Sequence, residues 1–569
     1  MKRGTTKLLS LLISSSFVAA ALAQDPPQPP TPTAKPIEVP ARIGVLGSAK
    51  ITLAEVIQRV LENDRDLAVS RIAREEAVLN YRGAQGAFDP RLGLASHNSR
   101  VITPVSSSLG GATNGKLTTK ELYADPQLSG ASPWLGTTYK LDLSSARQSS
   151  DSTFNTLNPQ FPTSLNLNLN QPLWRGLRYD DNRHRIQVAK KNIQLTDEQF
   201  RQRVIEVVTQ AIQAYWELEF AYRNLDVQNE AVRLALQQDA SNRRQVDQGL
   251  LAPVDVVQTQ TQIATFQQNL FSAQGALTTA ENALKVLILA DRTDLMWGMA
   301  LEPDTRAAET PDALPSLDDA VKQALAGRPE LKESAIALDV NQLDARLSRE
   351  QTRPQVDVFA NVSTVGLAGH PLVQTGANPF TSAFGPLVNQ INLLSTQAGI
   401  PPLGPISFGS SSVPPALIGG YGQSLSNLAN AHYTSASVGV NISLPLRNRT
   451  ANASAAVSVA EGRRLRTQRQ QVELAIEQDV RNAIQLVTSS QARLEAANNA
   501  QRYADEQYRS EQRQFQAGTT TVFLVLQRQT DLIAARTRQA RAEADLGEAR
   551  ANLDRALART IEARGIRIQ

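Results

Sequence analysis

Leu53-Ala-Glu-Val-Ile-Gln-Arg-Val-Leu-Glu-Asn-Asp-Arg-Asp-Leu67 is answered, about 270 residues on, by Leu317-Asp-Asp-Ala-Val-Lys-Gln-Ala-Leu-Ala-Gly-Arg-Pro-Glu-Leu331. Leu-Asn-Gln-Pro-Leu ending at Leu173 is matched by Ile-Ser-Leu-Pro-Leu ending at Leu446, and Gly249 with its following apolar run is matched by Gly518 with its own. A duplication on this scale requires both halves to build the same supersecondary unit. Each unit reads as helix, strand, long loop, strand, very long helix, helix.

From Asp181 to Asp247 there is neither proline nor glycine. Val204, Val208, Ala211, Tyr215, Leu218, Tyr222, Leu225, Asn229, Val232 and Leu236 alternate steps of four and three, the heptad pattern of a coiled coil. A helix of that length is about 100 Å long at 1.5 Å per residue. The same seam recurs from Ile476 through Val480, Ala483, Val487, Ser490, Leu494, Ala497, Gln501, Ala504 and Tyr508, in a helix expected over 450–516 with Gly462 as its soft spot. Being richer in alanine and polar residues, this second seam predicts a weaker, more wettable contact. Shorter helices are expected over 52–85, 253–289, 317–352 and 522–558, with capping-box spacing at Thr52/Glu55 and Ser316/Asp319.

The strands alternate. Leu165, Leu167 and Leu169 face one way and Asn166, Asn168 and Asn170 the other; Val438, Val440, Ile442 and Leu444 repeat the pattern, as do Val356, Val358, Ala360 and Val362, and Arg91–Ser96 more weakly. Alternation alone suits a half-buried soluble sheet as well as a membrane barrel. Tyr139-Lys-Leu-Asp-Leu143 is a further alternating segment whose place, in a barrel or in an outer loop, the sequence leaves open. The stretches 97–162 and 366–432 read as long loops.

Composition narrows the choice. Lys2, Arg3 and Lys7 precede an apolar run to Ala21 and a small-x-small site at Ala21-Leu-Ala23, a secretory signal over 1–23. A linker over 24–49 follows, with seven prolines between Asp25 and Pro40. The net charge of +4 includes the three signal cations, so the exported chain is nearly neutral and nothing points to nucleic acid. Cysteine is absent, which excludes disulfides and thiolate chemistry. No later stretch is apolar enough for a spanning helix, so any membrane entry is by strands. About four clear strands are too few to close a barrel, and open edges cannot sit in lipid; closure requires several chains.

In order and duplication these elements resemble the TolC-like outer membrane efflux proteins (outer membrane factors) of Gram-negative bacteria, over essentially all of 51–558. The most specific matches are Leu53–Leu67 with its repeat, Gln171-Pro-Leu-Trp-Arg-Gly176, Leu444-Pro-Leu-Arg-Asn-Arg449, Gly249-Leu-Leu-Ala-Pro-Val-Asp255 and Gly518-Thr-Thr-Thr-Val-Phe523. The resemblance implies repeats over 50–300 and 316–560, a linker over 301–315 and a tail over 561–569. It further implies a homotrimeric α+β membrane protein, with a 12-stranded outer membrane β-barrel continued by a periplasmic α-helical coiled-coil barrel. A periplasmic adaptor (membrane fusion protein) and an inner-membrane pump are the implied partners; drug, metal or type I secretion cargo is left open. No cofactor and no catalysis are implied.

Gly249, Leu250, Gly518, Thr519 and Thr520 fall on the implied adaptor-docking helix tips, and Asp255 at the periplasmic aperture. Where other members carry further aspartates, this chain has Leu524 and Gln527, which weakens the case for a cation-binding ring; alternatively, Asp255 serves the dipole of its helix. The less regular second half is where a moving part of the gate is expected. No metalloprotease, nucleophile-elbow or phosphate-loop motif occurs; His97 and His370 read as loop residues, His184 as a helix start and His432 as preceding a strand. The rival reading is a structural or adhesive coiled-coil envelope protein without a channel.

Overall fold

The computed structural model describes residues 42–106, 111, 115–304, 314–372, 379–404 and 413–566. The expected signal segment and most of the proline-rich linker lie outside the described residues. In chain order the elements are β1 (Gly47–Ile51), α1 (Leu53–Asn63), α2 (Arg65–Gln85), β2 (Arg91–Pro104), β3 (Lys116–Ala131), β4 (Thr138–Ser150), β5 (Leu157–Pro172), α3 (Asp181–Asp247) and α4 (Pro253–Ile288). Then come β6 (Met299–Pro303), α5 (Leu317–Gly327), α6 (Pro329–Gln351), β7 (Gln355–Pro371), α7 (Pro379–Gln397), α8 (Tyr421–Ala429), β8 (Thr434–Ser443), α9 (Arg449–Gln516), α10 (Val522–Ala556) and α11 (Thr560–Ala563).

The long helices α3 and α9 have 67 and 68 residues. Helix α3 packs on α2 near the sheet and on α4 beyond it; α9 packs likewise on α6 and then α10, and α10 lies against α3. The end-to-end pairing of two shorter helices with one long one therefore holds in both halves. Each short helix expected before a strand is instead two. Asp64 leaves the helical region at ψ 132° and caps α2 by accepting the Leu67 N–H at 2.9 Å. In the second half Arg328 breaks at ψ 126° and Pro329 opens α6. Proline is suited to that first position because its missing N–H is unsatisfied there anyway.

The first seam is buried from Val204 to Leu218, then moves by one residue to Gln228, Ala231, Ala235, Gln238 and Asn242. A straight helix drifts about 20° per heptad, and over this length α3 changes neighbours from α2 to α4 and α10. The second seam keeps its register to Tyr508 but is buried continuously only from Ile476 to Ser490. Gly462 is a close-approach site: a Cβ there would lie 2.6 Å from Asn341 Oδ1 of α6.

Between sheet and helix tips sits the main core, where Val56, Val60, Val208, Ile212, Tyr215, Leu284 and Leu301 meet. Strand β1 pairs in parallel with β6, so strand structure occupies the ends of both expected linkers. Beneath it Lys285, fully buried, pairs with Glu281 at 2.6 Å and donates to the carbonyls of Trp297 and Met299, while Arg42 binds the other oxygen of Glu281. This satisfies a buried charge pair that would otherwise be costly.

The main sheet runs β2-β3-β4-β5-β7-β8, antiparallel throughout. It has six strands where four per chain are expected; the segment around Leu141 is β4, and much of the expected loop over 97–162 is the β3–β4 hairpin. Alternation in β3 is blurred by Pro126 and Gly130 on its apolar side. His97 and His370, expected in loops, lie in β2 and β7, where they contact Tyr123 and Phe161. The second expected loop contains α7 and α8; α8 packs on the sheet where Ser424 Oγ meets Thr163 Oγ1 at 2.8 Å.

Candidate channel wall and aperture

Because side chains alternate along a strand, register decides which residues share a face. One row runs Leu92, Leu128, Leu141, Leu167, Val362, Ala436 across all six strands. The adjacent row on the opposite face runs Gly93, Gln127, Asp142, Asn166, Ser363, Ser435. The polar row is hydrogen-bonded: Asn166 Nδ2 donates to Asp142 Oδ2 at 2.7 Å, and Ser363 Oγ donates to Asn166 Oδ1 at 2.6 Å. Lys140 Nζ lies 3.6 Å from Asp142. The leucine and valine face is solvent-exposed, including Leu92, Leu94, Leu165, Leu169, Val438, Val440 and Ile442. An exposed apolar face of this extent needs an apolar environment, and the opposite face suits water. Among the described residues, β2 and β8 are the edges of the sheet and pair on one side only.

At the far end, α3–α4 and α9–α10 turn in the same way. Gly249 and Gly518 have φ of +73° and +74°. The N–H of Leu250 reaches Gln245 O at 2.8 Å and that of Thr519 reaches Gln514 O at 3.0 Å, with Gly249 and Gly518 bonding to Val246 and Phe515. These are two Schellman ends, which need left-handed glycine. Leu250, Val254, Val257, Phe523 and Leu524 are exposed around them. Thr520 Oγ1 is tied back to Glu511.

The Asp255 carboxylate accepts the Ala252 N–H at 3.2 Å, so it caps its own helix. Behind it a buried polar chain carries one bond across the first hairpin: Gln238 donates to Asn242 within α3 at 2.7 Å, Asn242 crosses to Thr259 Oγ1 of α4 at 2.8 Å, and Thr259 donates to the Asp255 carbonyl within α4 at 2.9 Å. The second tip is closed by an apolar cluster of Tyr508, Phe515, Val522, Val525 and Leu526, with Leu251 of the first packed against it. Leu524 and Gln527 are both exposed on α10. The two hairpins are joined by Arg223–Glu543 and Arg541–Glu217 and by Gln262 Nε2 donating to Thr530 Oγ1 at 3.2 Å.

Among the described residues no three His, Cys, Asp or Glu side chains form a group that could hold a metal. His184 Nε2 pairs with Asp344 at 2.7 Å, a link between α3 and α6. Sequence reasoning singled out Tyr139–Leu143 but gave its polar residues Lys140 and Asp142 no role, and it missed Gln127 of β3.

A two-faced sheet with open edges, set on paired helices of about 100 Å, defines an outer membrane channel with a periplasmic extension. Comparison with known proteins gives the family. The outer membrane efflux protein model matches residues 127–288 and 416–559, together more than half of the chain, and the chain belongs to that family. Its members are channels rather than enzymes. A relative, the cation efflux system protein CusC of Escherichia coli O6:H1, is 21% identical over 377 residues, covering 63% of this chain and 68% of that protein. The solved structure of CusC aligns with a TM-score of 0.61 at 17% identity, over 93% of this chain and 98% of that one. The outer-membrane channel OprN aligns with 0.59 at 16%, over 89% of each chain. The open-state channel MtrE of Neisseria gonorrhoeae aligns with 0.55 at 14%, over 89% of this chain and 88% of that one. At such identities the solved structures speak to the fold alone.

Proposed function

We propose that the chain is the exit duct of a tripartite export system, in which three copies close one barrel and one helical tunnel and conduct cargo passively from a periplasmic adaptor and inner-membrane pump. The observation that carries this reading is the six-stranded sheet with one apolar and one polar face and two unpaired edges. Such a sheet is stable in lipid only when its edges meet those of other copies. The tips around Gly249, Leu250, Gly518, Thr519 and Thr520 are the adaptor-docking surface in this reading; exposed Leu250, Val254 and Phe523 supply apolar area there. Asp255 stands near the aperture, where three copies bring three carboxylates together. Leu524 and Gln527 add no charge, so the ring is a weak cation site. CusC is named for cation efflux, but a relative at 21% identity leaves the cargo class of this chain open.

The test is reconstitution of the purified protein into planar bilayers. A three-copy particle giving discrete conductance steps supports the duct; a water-soluble monomer without conductance overturns it.

A further inference from the structure

We propose that the β3–β4 hairpin itself crosses the outer membrane, so that each copy contributes six strands and the closed barrel has eighteen. The number eighteen rests on the three-copy reading above; the crossing of the hairpin does not.

Register is the first argument. Leu128 and Leu141 stand between Leu92 and Leu167 in one apolar row, and Tyr139 lies opposite Leu169. Gln127 and Asp142 stand between Gly93 and Asn166 on the polar face, and Lys140 lies opposite Asn168. A one-residue slip would put every side chain of the hairpin on the other face. A hairpin standing in water outside the membrane has no need to keep its leucines in line with the lipid-facing row.

The second argument is where the hairpin ends. Its inner turn, 132–137, is bound to the helical end of the molecule: Arg183 Nε of α3 donates to Pro133 O at 3.1 Å, and Gln171 Nε2 donates to Leu135 O at 3.0 Å. Gly136 has φ +70° and approaches the Gly176 carbonyl so closely that a Cβ would sit 2.8 Å away. Trp134, 85% exposed, and Trp174, 51% exposed, stand at this level. Aromatic residues at the lower boundary of an apolar band are the girdle of a membrane barrel.

Length is the third. The strands β3 and β4 have 16 and 13 residues. At about 3.3 Å per residue and a tilt of about 40°, 13 residues rise about 33 Å, more than the apolar band of about 25 Å. With strands about 4.8 Å apart at the same tilt, twelve give a barrel about 24 Å across and eighteen about 36 Å. Deleting the hairpin conceptually leaves β2 antiparallel to β5, the arrangement expected with four strands per chain. The hairpin is thus an insertion that widens the duct, and it lines the added wall with Gln127, Lys140 and Asp142.

The chain has no cysteine, so single introduced thiols are unambiguous reporters. Leu128→Cys, Leu141→Cys, Gln127→Cys and Lys140→Cys are labelled in isolated outer membranes with a water-soluble maleimide, with Leu167→Cys and Asn168→Cys as references on β5. Only variants that keep the oligomer on mild-detergent gels are compared. The expected result is labelling at Gln127 and Lys140 roughly tenfold faster than at Leu128 and Leu141, matching the contrast between Asn168 and Leu167. Equal labelling at all four hairpin sites with Leu167 still protected overturns the inference and leaves the duct standing. Loss of contrast at the β5 references themselves overturns the barrel.

Discussion

Replacing Gly518 by alanine isolates one term in the tip. The residue holds φ at +74°, and a Cβ added there meets nothing within 4 Å. The cost is therefore backbone strain alone, about 1 kcal/mol for a non-glycine residue in the left-handed region. A penalty of that size raises the local opening equilibrium about fivefold. Native-state hydrogen exchange reads it at two amides, those of residue 518 and Thr519, which bond to Phe515 O and Gln514 O at 3.0 Å each. Both should lose protection by about fivefold, while amides in the middle of α9 remain unchanged. Gly518→Asn should lose less, because asparagine tolerates this conformation better than alanine. Unchanged protection in the alanine variant, or no difference between alanine and asparagine, would refute the Schellman account of the tip. Since no neighbour is displaced, export that falls by much more than the unfolded fraction marks a surface touched by a partner.

Asp255→Ala removes both the helix cap and the carboxylate; block of conductance by trivalent cations from the periplasmic side should weaken, and unchanged block would mean that no ring forms there. Burial, reinforced by the charges of Glu330, Glu198 and Glu206, pushes the Glu333 carboxyl up to about 7. Its folded value lies above its unfolded one, so stability is lost as pH rises from about 4.5 to 7 and stays lost above. Glu333→Gln should therefore stabilise by about 1 kcal/mol at pH 8, discounted because the side chain is only partly buried, and leave pH 4.5 unchanged, as read by thermal unfolding. Removing both ion pairs between hairpins, Glu217→Gln with Glu543→Gln, should cost about 1 kcal/mol in stability, as partly exposed pairs do, and raise resting conductance; an unaltered resting conductance would show that these pairs do not hold the tunnel.

Long elements were legible to the residue or nearly so. The absence of proline and glycine over 181–247 marks α3, and the glycines at 249 and 518 mark the turns, because heptads and left-handed ends each have a local chemical signature. The breaks at Asp64 and Arg328 were not read, although Asp64 as a cap and Pro329 as a helix start are visible in hindsight. Strand β4 was read as an alternating segment without a place, and β3 escaped for a different reason. A barrel strand needs only a modest apolar bias on one face, and Pro126 and Gly130 dilute it in β3; only pairing with β2 and β4 makes the row of leucines continuous. The drift of the first seam after Tyr222 likewise depends on which helix lies opposite, and a single sequence carries no record of that. At the two turns the glycines hold the left-handed positions that end α3 and α9, and the backbone contact that engages the Asp255 carboxylate came from geometry.

The two halves keep the same backbone devices and differ in what fills the space between helices. The first hairpin is joined near its tip by one buried directional bond, Asn242 of α3 to Thr259 of α4, with Asn242 itself held by Gln238, and that crossing bond holds only in one register. The second hairpin is closed by Tyr508, Phe515, Val522 and Leu526, whose apolar contacts have no preferred direction. Above that cluster, from Leu494 to Ala504, the α9 seam is only half-buried, with Arg493–Asp545 and Arg536–Asp505 as the ion pairs along it. A helix held by a smooth apolar contact below a wettable seam shifts at lower cost than one pinned by a buried directional bond. Any movement of α10 away from α3 must break Arg223–Glu543 and Arg541–Glu217, because these join the two helices. Partly exposed pairs of this kind each hold about 0.2–1 kcal/mol, so the two together favour the arrangement in which they form by about 1 kcal/mol.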